Sequence, residues 1–155
     1  MEIKRIHSIL HREYAGESWH GPSLSEILED ISAEQAVKRV LPNAHNIAEL
    51  VIHMTNWRIF TLEKLTGGDN YDIILNSEAD WTVVNELSEE RWQEILENLA
   101  DTQTELLELT DKFPVQKINE IVPGRKYSFY MLLHGIIQHD IYHAGQISLL
   151  KKAQS

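Results

Sequence analysis

The chain has 155 residues and a mass of 17.9 kDa, and 43% of its residues are hydrophobic, which predicts a single globular domain over residues 1–155. It carries 24 acidic against 14 basic residues, a formal net charge of −10, so neither nucleic acid nor an anionic membrane is expected as a partner. It contains no cysteine, which excludes disulfides, cysteine metal ligands and a cysteine nucleophile.

The sequence shows no targeting or membrane signal. No apolar run approaches the roughly 18 residues that a membrane span needs, and the first residues lack the apolar stretch of a signal peptide. Together with the absence of cysteine, this favours a cytoplasmic protein.

Apolar residues recur at helical spacing in four long segments, over residues 2 to about 15, 43 to about 65, 88 to 113 and 128 to 152. Two short helices are predicted in the first connection, at 24–28 after Ser23 and at 33–40 after Ser32. Residues 67–87 form a long polar connection, and 115–122 could be extended, although no strand is expected there. Four long helices without a strand pair predict an all-α four-helix bundle.

Two histidines interrupt the apolar stripe of the last helix. His139 and His143 are four residues apart, hence on one face, in line with Leu132, Ile136 and Ile147. His53 interrupts a comparable stripe on the second long helix. Three neutral imidazoles buried together satisfy one another poorly, whereas a divalent metal takes one lone pair from each ring. The pattern predicts a three-histidine site with open positions, suited to zinc, nickel, copper or iron.

The same spacing occurs where no site is expected. His7 and His11 are also four apart, but charged neighbours surround them, so we interpret them as surface residues, as we do His45. His134 lies five residues before His139, off its stripe, and is interpreted as structural.

Other residues are candidates for supporting roles. Asp140 and Gln146 could fix the tautomer of a ligating ring, although Asp140 could equally be solvated. Gly145 costs roughly 1 kcal/mol in a helix interior, which suggests close approach of another backbone or a ligand. Trp19, His20 and Trp57 are candidates for the substrate pocket: the two tryptophans could equally be packing residues, and His20 is a candidate proton-transfer group.

Three blocks of the sequence resemble the DinB/YfiT-like family: Trp19-His-Gly-Pro22, the segment from Asn46 to Trp57, and the segment from His134 to Ile147. The resemblance implies an up-down-down-up four-helix bundle that binds nickel or zinc through His53, His139 and His143. It also implies frequent homodimers. Relatives include transferases that join a low-molecular-weight thiol such as bacillithiol to an electrophile, the mycothiol-dependent maleylpyruvate isomerase, and proteins proposed to be metal-dependent hydrolases.

The favoured hypothesis is a metal-dependent transferase that acts on a small-molecule substrate and uses an external thiol, because the chain has no cysteine of its own and a metal lowers the pKa of a bound thiol. One alternative is a hydrolase using a metal-bound water, for which the sequence shows no obvious general base of the HExxH type. The other is a metal- or small-molecule-binding module without catalysis.

Overall fold

The computed structural model describes residues 2–68 and 70–154, and this part of the chain contains six α-helices and no strand. A single 3-10 turn, Val115–Lys117, and one isolated bridge between Ile121 and Ser128 occupy the segment with extended character. The helices are α1 (Glu2–Ala15), α2 (Leu24–Leu28), α3 (Ala33–Val37), α4 (Ile47–Leu65), α5 (Glu89–Lys112) and α6 (Phe129–Lys152).

Two predicted helix ends were wrong. α4 begins at Ile47, because Asn46 and not Asn43 is its cap: the Asn46 side chain accepts from the Glu49 amide at 2.9 Å, and the Glu49 carboxylate accepts from the Asn46 amide at 3.2 Å. Asn43 has no acid three residues on with which to form this reciprocal pair. α3 ends at Val37, not at residue 40, because Lys38 turns to an extended conformation.

The four long helices pack in a closed ring, in which α1 and α4 each contact both α5 and α6. Two apolar clusters fill this ring. One joins α2 and α3 to the N-terminal halves of α4 and α5 and the C-terminal half of α6. The other joins α1 to the C-terminal halves of α4 and α5 and the N-terminal half of α6. α4 and α5 therefore run from the first cluster to the second and α6 runs back, while Tyr14 near the end of α1 reaches the first cluster. This is the up-down-down-up order that the resemblance implies.

A polar layer separates the two apolar clusters. In α4, α5 and α6 it occupies the stretch between their two apolar parts, and its buried side chains include Arg58, Thr102, Gln103, Asp140 and His143. Polar groups withdrawn from water need partners, so this layer is where the fold concentrates its specific contacts. None of the helices over 2–68 and 70–154 is long and apolar enough to cross a membrane.

Candidate metal site

Three histidines converge where the polar layer meets the first apolar cluster. His53 on α4 and His143 on α6 are each 5% exposed, and His139 is half-buried. One nitrogen from each ring lies within 4.8 Å of the others, and the two Nε2 atoms of His53 and His139 are 3.0 Å apart. That separation is close to the roughly 3.3 Å expected between two nitrogen ligands of a tetrahedral zinc ion. The group could therefore hold a metal ion.

The outer nitrogens of two rings are already engaged. His53 Nδ1 lies 2.9 Å from the Asp80 carbonyl oxygen and 3.1 Å from Asp80 Oδ1. His143 Nδ1 lies 2.6 Å from Gln146 Oε1. Each of these partners is an acceptor, so each Nδ1 carries the proton and donates. The lone pair of each neutral ring is then on Nε2, the nitrogen turned away from these partners.

His139 provides the test of whether a metal fits. With the His53 lone pair facing it at 3.0 Å, His139 Nε2 must donate if no cation lies between the rings. His139 Nδ1 is then an acceptor without a donor, and it faces Asp140 Oδ1 at 3.7 Å, which is also a buried acceptor without a partner. A cation held by the three Nε2 atoms would relieve this conflict, because Nδ1 would then carry the proton and face the acceptor Asp140 Oδ1 as a donor; the 3.7 Å separation has to shorten for a hydrogen bond to form. The residues fit a divalent metal.

Arg58 holds Asp140 in place from the side opposite the histidine. Its Nε and Nη2 donate to Asp140 Oδ2 at 3.0 and 2.7 Å, and its Nη1 donates to the Leu99 carbonyl at 3.2 Å. Arg58 is 1% exposed and Asp140 5%, and Tyr14 stacks on the guanidinium at 5.1 Å. A buried arginine with two bonds to one carboxylate oxygen leaves Asp140 little freedom to turn.

The long connection between α4 and α5 completes the wall of the site. The Trp81 ring stacks on His53 with centroids 3.7 Å apart and planes 4° apart, and on its other face it stacks on His45 at 3.6 Å. Asp80 accepts from Trp57 Nε1 through Oδ1 and from the Asn76 amide through Oδ2. The connection is thereby tied to α4 at His53 itself.

Burial sets the protonation of the site. It lowers the pKa of His143 to about 4, with a further contribution from His139, and it lowers the pKa of His53. Both rings are therefore neutral near pH 7, as metal ligation requires. Burial alone would raise the pKa of Asp140, but the attraction of Arg58 holds it below the usual value, so Asp140 is ionised.

Two cavities meet the histidines from different directions. One, of about 280 Å³, contacts His139 and extends along α6 toward its N-terminus. The other, of about 470 Å³, contacts His143, Trp81 and Gln146 and extends toward the C-terminus of α6. Their lining residues do not overlap, so the site has two separate approaches.

A family profile described as the DinB superfamily matches residues 18–147. The chain belongs to the DinB superfamily. No curated protein and no solved structure matches the chain significantly. Family membership and the buried three-histidine group together support a metal-binding DinB-like protein.

The other candidates for the site of this DinB-superfamily chain are dispersed. Trp57 lines the cavity at His139. Trp19 is 99% exposed, so it neither packs on the bundle nor forms part of an enclosed pocket. His20 pairs with Glu13 and lines a cavity of only about 10 Å³ next to Arg58, so it lines neither of the two approaches to the histidines.

The supporting residues show a similar split. Gln146 binds His143, and Asp140 is buried and not solvated. At Gly145 no atom lies within 4 Å of an added Cβ, so the close approach suggested by this glycine is absent. His134 packs against Tyr130 at 4.4 Å, outside the histidine group.

Sequence reasoning missed Arg58, Asp80 and Trp81. Arg58 could have been found, because it lies on the same apolar stripe of α4 as Val51 and Met54. A single cation on a buried stripe needs a buried acid as its partner. Asp80 and Trp81 come from an irregular connection, whose path no periodicity reveals.

Proposed function

We propose that this protein is a metal-dependent transferase that joins the sulfur of a low-molecular-weight thiol to an electrophilic carbon. The observation that carries the proposal is the pair of separate cavities, each lined by a different member of the three-histidine group, which would seat two small molecules next to the same ion. Zinc or nickel suits three imidazole nitrogens.

The residues of the site have distinct parts in this proposal. His53, His139 and His143 hold the ion, and Asp80 and Gln146 keep the ligating nitrogens turned toward it. The bound ion would lower the pKa of a thiol and so present sulfur as a nucleophile at neutral pH. In the reaction a sulfur–carbon bond forms, the leaving group departs with the electrons of its bond to carbon, and the thiol proton passes to solvent.

The carboxylates near the histidines favour transfer over hydrolysis. Both oxygens of Asp80 accept hydrogen bonds, from Trp57 and from the Asn76 amide. Asp140 is bound to Arg58 and lies on the outer side of His139. Activation of water needs a base within hydrogen-bond reach of that water, and these two carboxylates are committed elsewhere. A thiol loses its proton more readily and does not need such a base.

Metal content tests the common premise. Protein purified without a histidine tag should contain about one zinc or nickel ion per chain by elemental analysis, and His143→Ala should lose it. His11→Ala is the matched control, because His7 and His11 repeat the same spacing on α1 outside the buried group. A metal-free wild-type protein, or equal metal content in His143→Ala, would contradict the premise.

Turnover tests the reaction itself. The metal-loaded protein is incubated with a thiol and a haloarene, and the thioether product is measured. Product that requires both the metal and the thiol supports the transferase. Cleavage of an ester without thiol would favour a hydrolase, and no turnover with metal bound would favour a binding module.

A further inference from the structure

The cavity at His139 has an aromatic wall that leads directly to the histidine group. Phe60 meets Trp57 edge to face at 5.3 Å, and Trp57 in turn lies 5.9 Å from the His139 ring. Tyr127, Ile136 and Met131 line the rest of the space. Aromatic walls of this kind favour flat apolar groups, which they contact by stacked or edge-to-face packing.

Two of the polar groups along this wall are already used. Trp57 Nε1 donates to Asp80 Oδ1, and the Thr61 hydroxyl donates to the Trp57 carbonyl. Lys64 and Arg125 approach the Phe60 ring at 5.5 and 4.9 Å, but neither lines the cavity. Apart from His139 and the Tyr127 hydroxyl, the lining therefore offers a charged or strongly polar ligand few partners to replace its hydration.

Gly135 keeps the cavity open. It lies within α6, lines the cavity, and has no atom within 4 Å of the position of an added Cβ. Neither close packing nor a left-handed backbone requires glycine there. A side chain at this position would enter the cavity. Because glycine has none, that space remains available to a ligand.

We propose that this cavity binds a neutral, single-ring aromatic group, and that it is the subsite for the electrophilic substrate. The second part rests on the transferase function proposed above. The volume of about 280 Å³ equals that of roughly nine water molecules, which accommodates one ring with a short substituent. His139 at the inner end places that substituent against the metal-binding group.

Binding is measured by ¹⁹F NMR titration of the full-length, metal-loaded protein with 4-fluorotoluene. Gly135→Leu fills the cavity, and Gly145→Leu is the matched control, since it lies in the same helix, is solvent-exposed and also has open space at Cβ. We expect the dissociation constant to rise at least about tenfold in Gly135→Leu and to stay within about twofold in Gly145→Leu. Equal metal content in both variants shows that the histidine group is intact.

The polar probe 2,2,2-trifluoroacetamide tests the chemical class and should bind at least about tenfold more weakly than 4-fluorotoluene. The proposal is overturned if the wild-type protein does not bind 4-fluorotoluene, if Gly135→Leu binds it equally well, or if the amide binds as tightly.

The subsite and the reaction can fail separately. Binding that Gly135→Leu abolishes, without thiol transfer to any haloarene, would leave the cavity as a ligand site and refute the transferase. Transfer to a haloarene at the same rate in Gly135→Leu would uphold the transferase and refute the subsite.

Discussion

Arg58 should be the most sensitive position outside the three histidines. Its guanidinium makes two bonds to Asp140 and one to the Leu99 carbonyl, all within the polar layer. Arg58→Met leaves the ionised carboxylate of Asp140 buried without the donors to its Oδ2 atom, whereas the Leu99 carbonyl still accepts from the Thr102 hydroxyl. Breaking one side of such a buried pair costs about 3–5 kcal/mol, so we expect a loss of that size in the free energy of unfolding of the metal-free protein.

The assay is urea denaturation after chelation, with a double-mutant cycle. Arg58→Met/Asp140→Leu removes both charges and should be more stable than Arg58→Met alone, because no buried ion is left unpaired. Lys112→Met is the control, because Lys112 and its partner Glu108 are both exposed. This substitution should not measurably change stability. A loss below about 1 kcal/mol in Arg58→Met, or additive effects in the cycle, would refute the reasoning.

The same substitution should weaken metal binding. Without Arg58, Asp140 can turn away from His139 Nδ1, which it faces at 3.7 Å, and loss of such an outer partner typically lowers metal affinity about 10- to 100-fold. Competition with a chromophoric chelator measures this. Arg58→Lys should fall in between, because lysine keeps the charge but not the forked geometry. Unchanged affinity in Arg58→Met would show that Asp140 does not orient His139.

Zinc or nickel at about 100 times its dissociation constant should stabilise the protein by about 2.7 kcal/mol, seen as a higher thermal midpoint that His143→Ala loses. Without metal, the free energy of unfolding should fall as the pH is lowered from 6.5 to 4, because the unfolded chain protonates His143 near 6.5 and the folded chain only near 4. The full shift corresponds to ~3.4 kcal/mol, and we expect about half of it because the cavity at His143 opens to solvent. A flat urea midpoint over this range would contradict this. Gly135→Ala and Gly145→Ala should each gain up to about 1 kcal/mol in urea denaturation, and destabilisation at either would show that its Cβ site is not open. Because Trp81 stacks on His53, nickel should quench tryptophan fluorescence, and Trp81→Phe should reduce that change; equal quenching would contradict this.

Periodicity predicted the long helices because each helix buries one face, and a buried face places an apolar residue at every third or fourth position. Periodicity alone does not distinguish Asn43 from Asn46 as the cap of α4. The choice depends on Glu49, whose carboxylate also accepts from the Val84 amide of the distant connection. Periodicity therefore located the helices, and a local pair that the sequence also shows, Asn46 with Glu49 three residues on, fixes where this one begins.

The same division applies to the site. His53, His139 and His143 are visible in the sequence because each replaces an apolar residue in a stripe. The contacts that orient them are less visible. Arg58 and Asp140 are 82 residues apart, and the carbonyl that binds His53 belongs to Asp80 in an irregular segment. A backbone carbonyl leaves no trace in residue type, so this part of the site required the structure.

The position of the site follows from the way the bundle is divided. Apolar clusters on both sides of the polar layer hold α4 and α6 in register. This packing, and not contact with solvent, brings the histidines of the two helices together. Within the layer each polar group depends on the next: Arg58 on Asp140, Asp140 on His139, and His139 on His53. One link of this series, from His139 to Asp140, lacks a hydrogen bond until a cation fixes the tautomer of His139. Metal binding should therefore complete the polar layer of the fold as well as the site, and effects of substitutions along the series should be strongly non-additive.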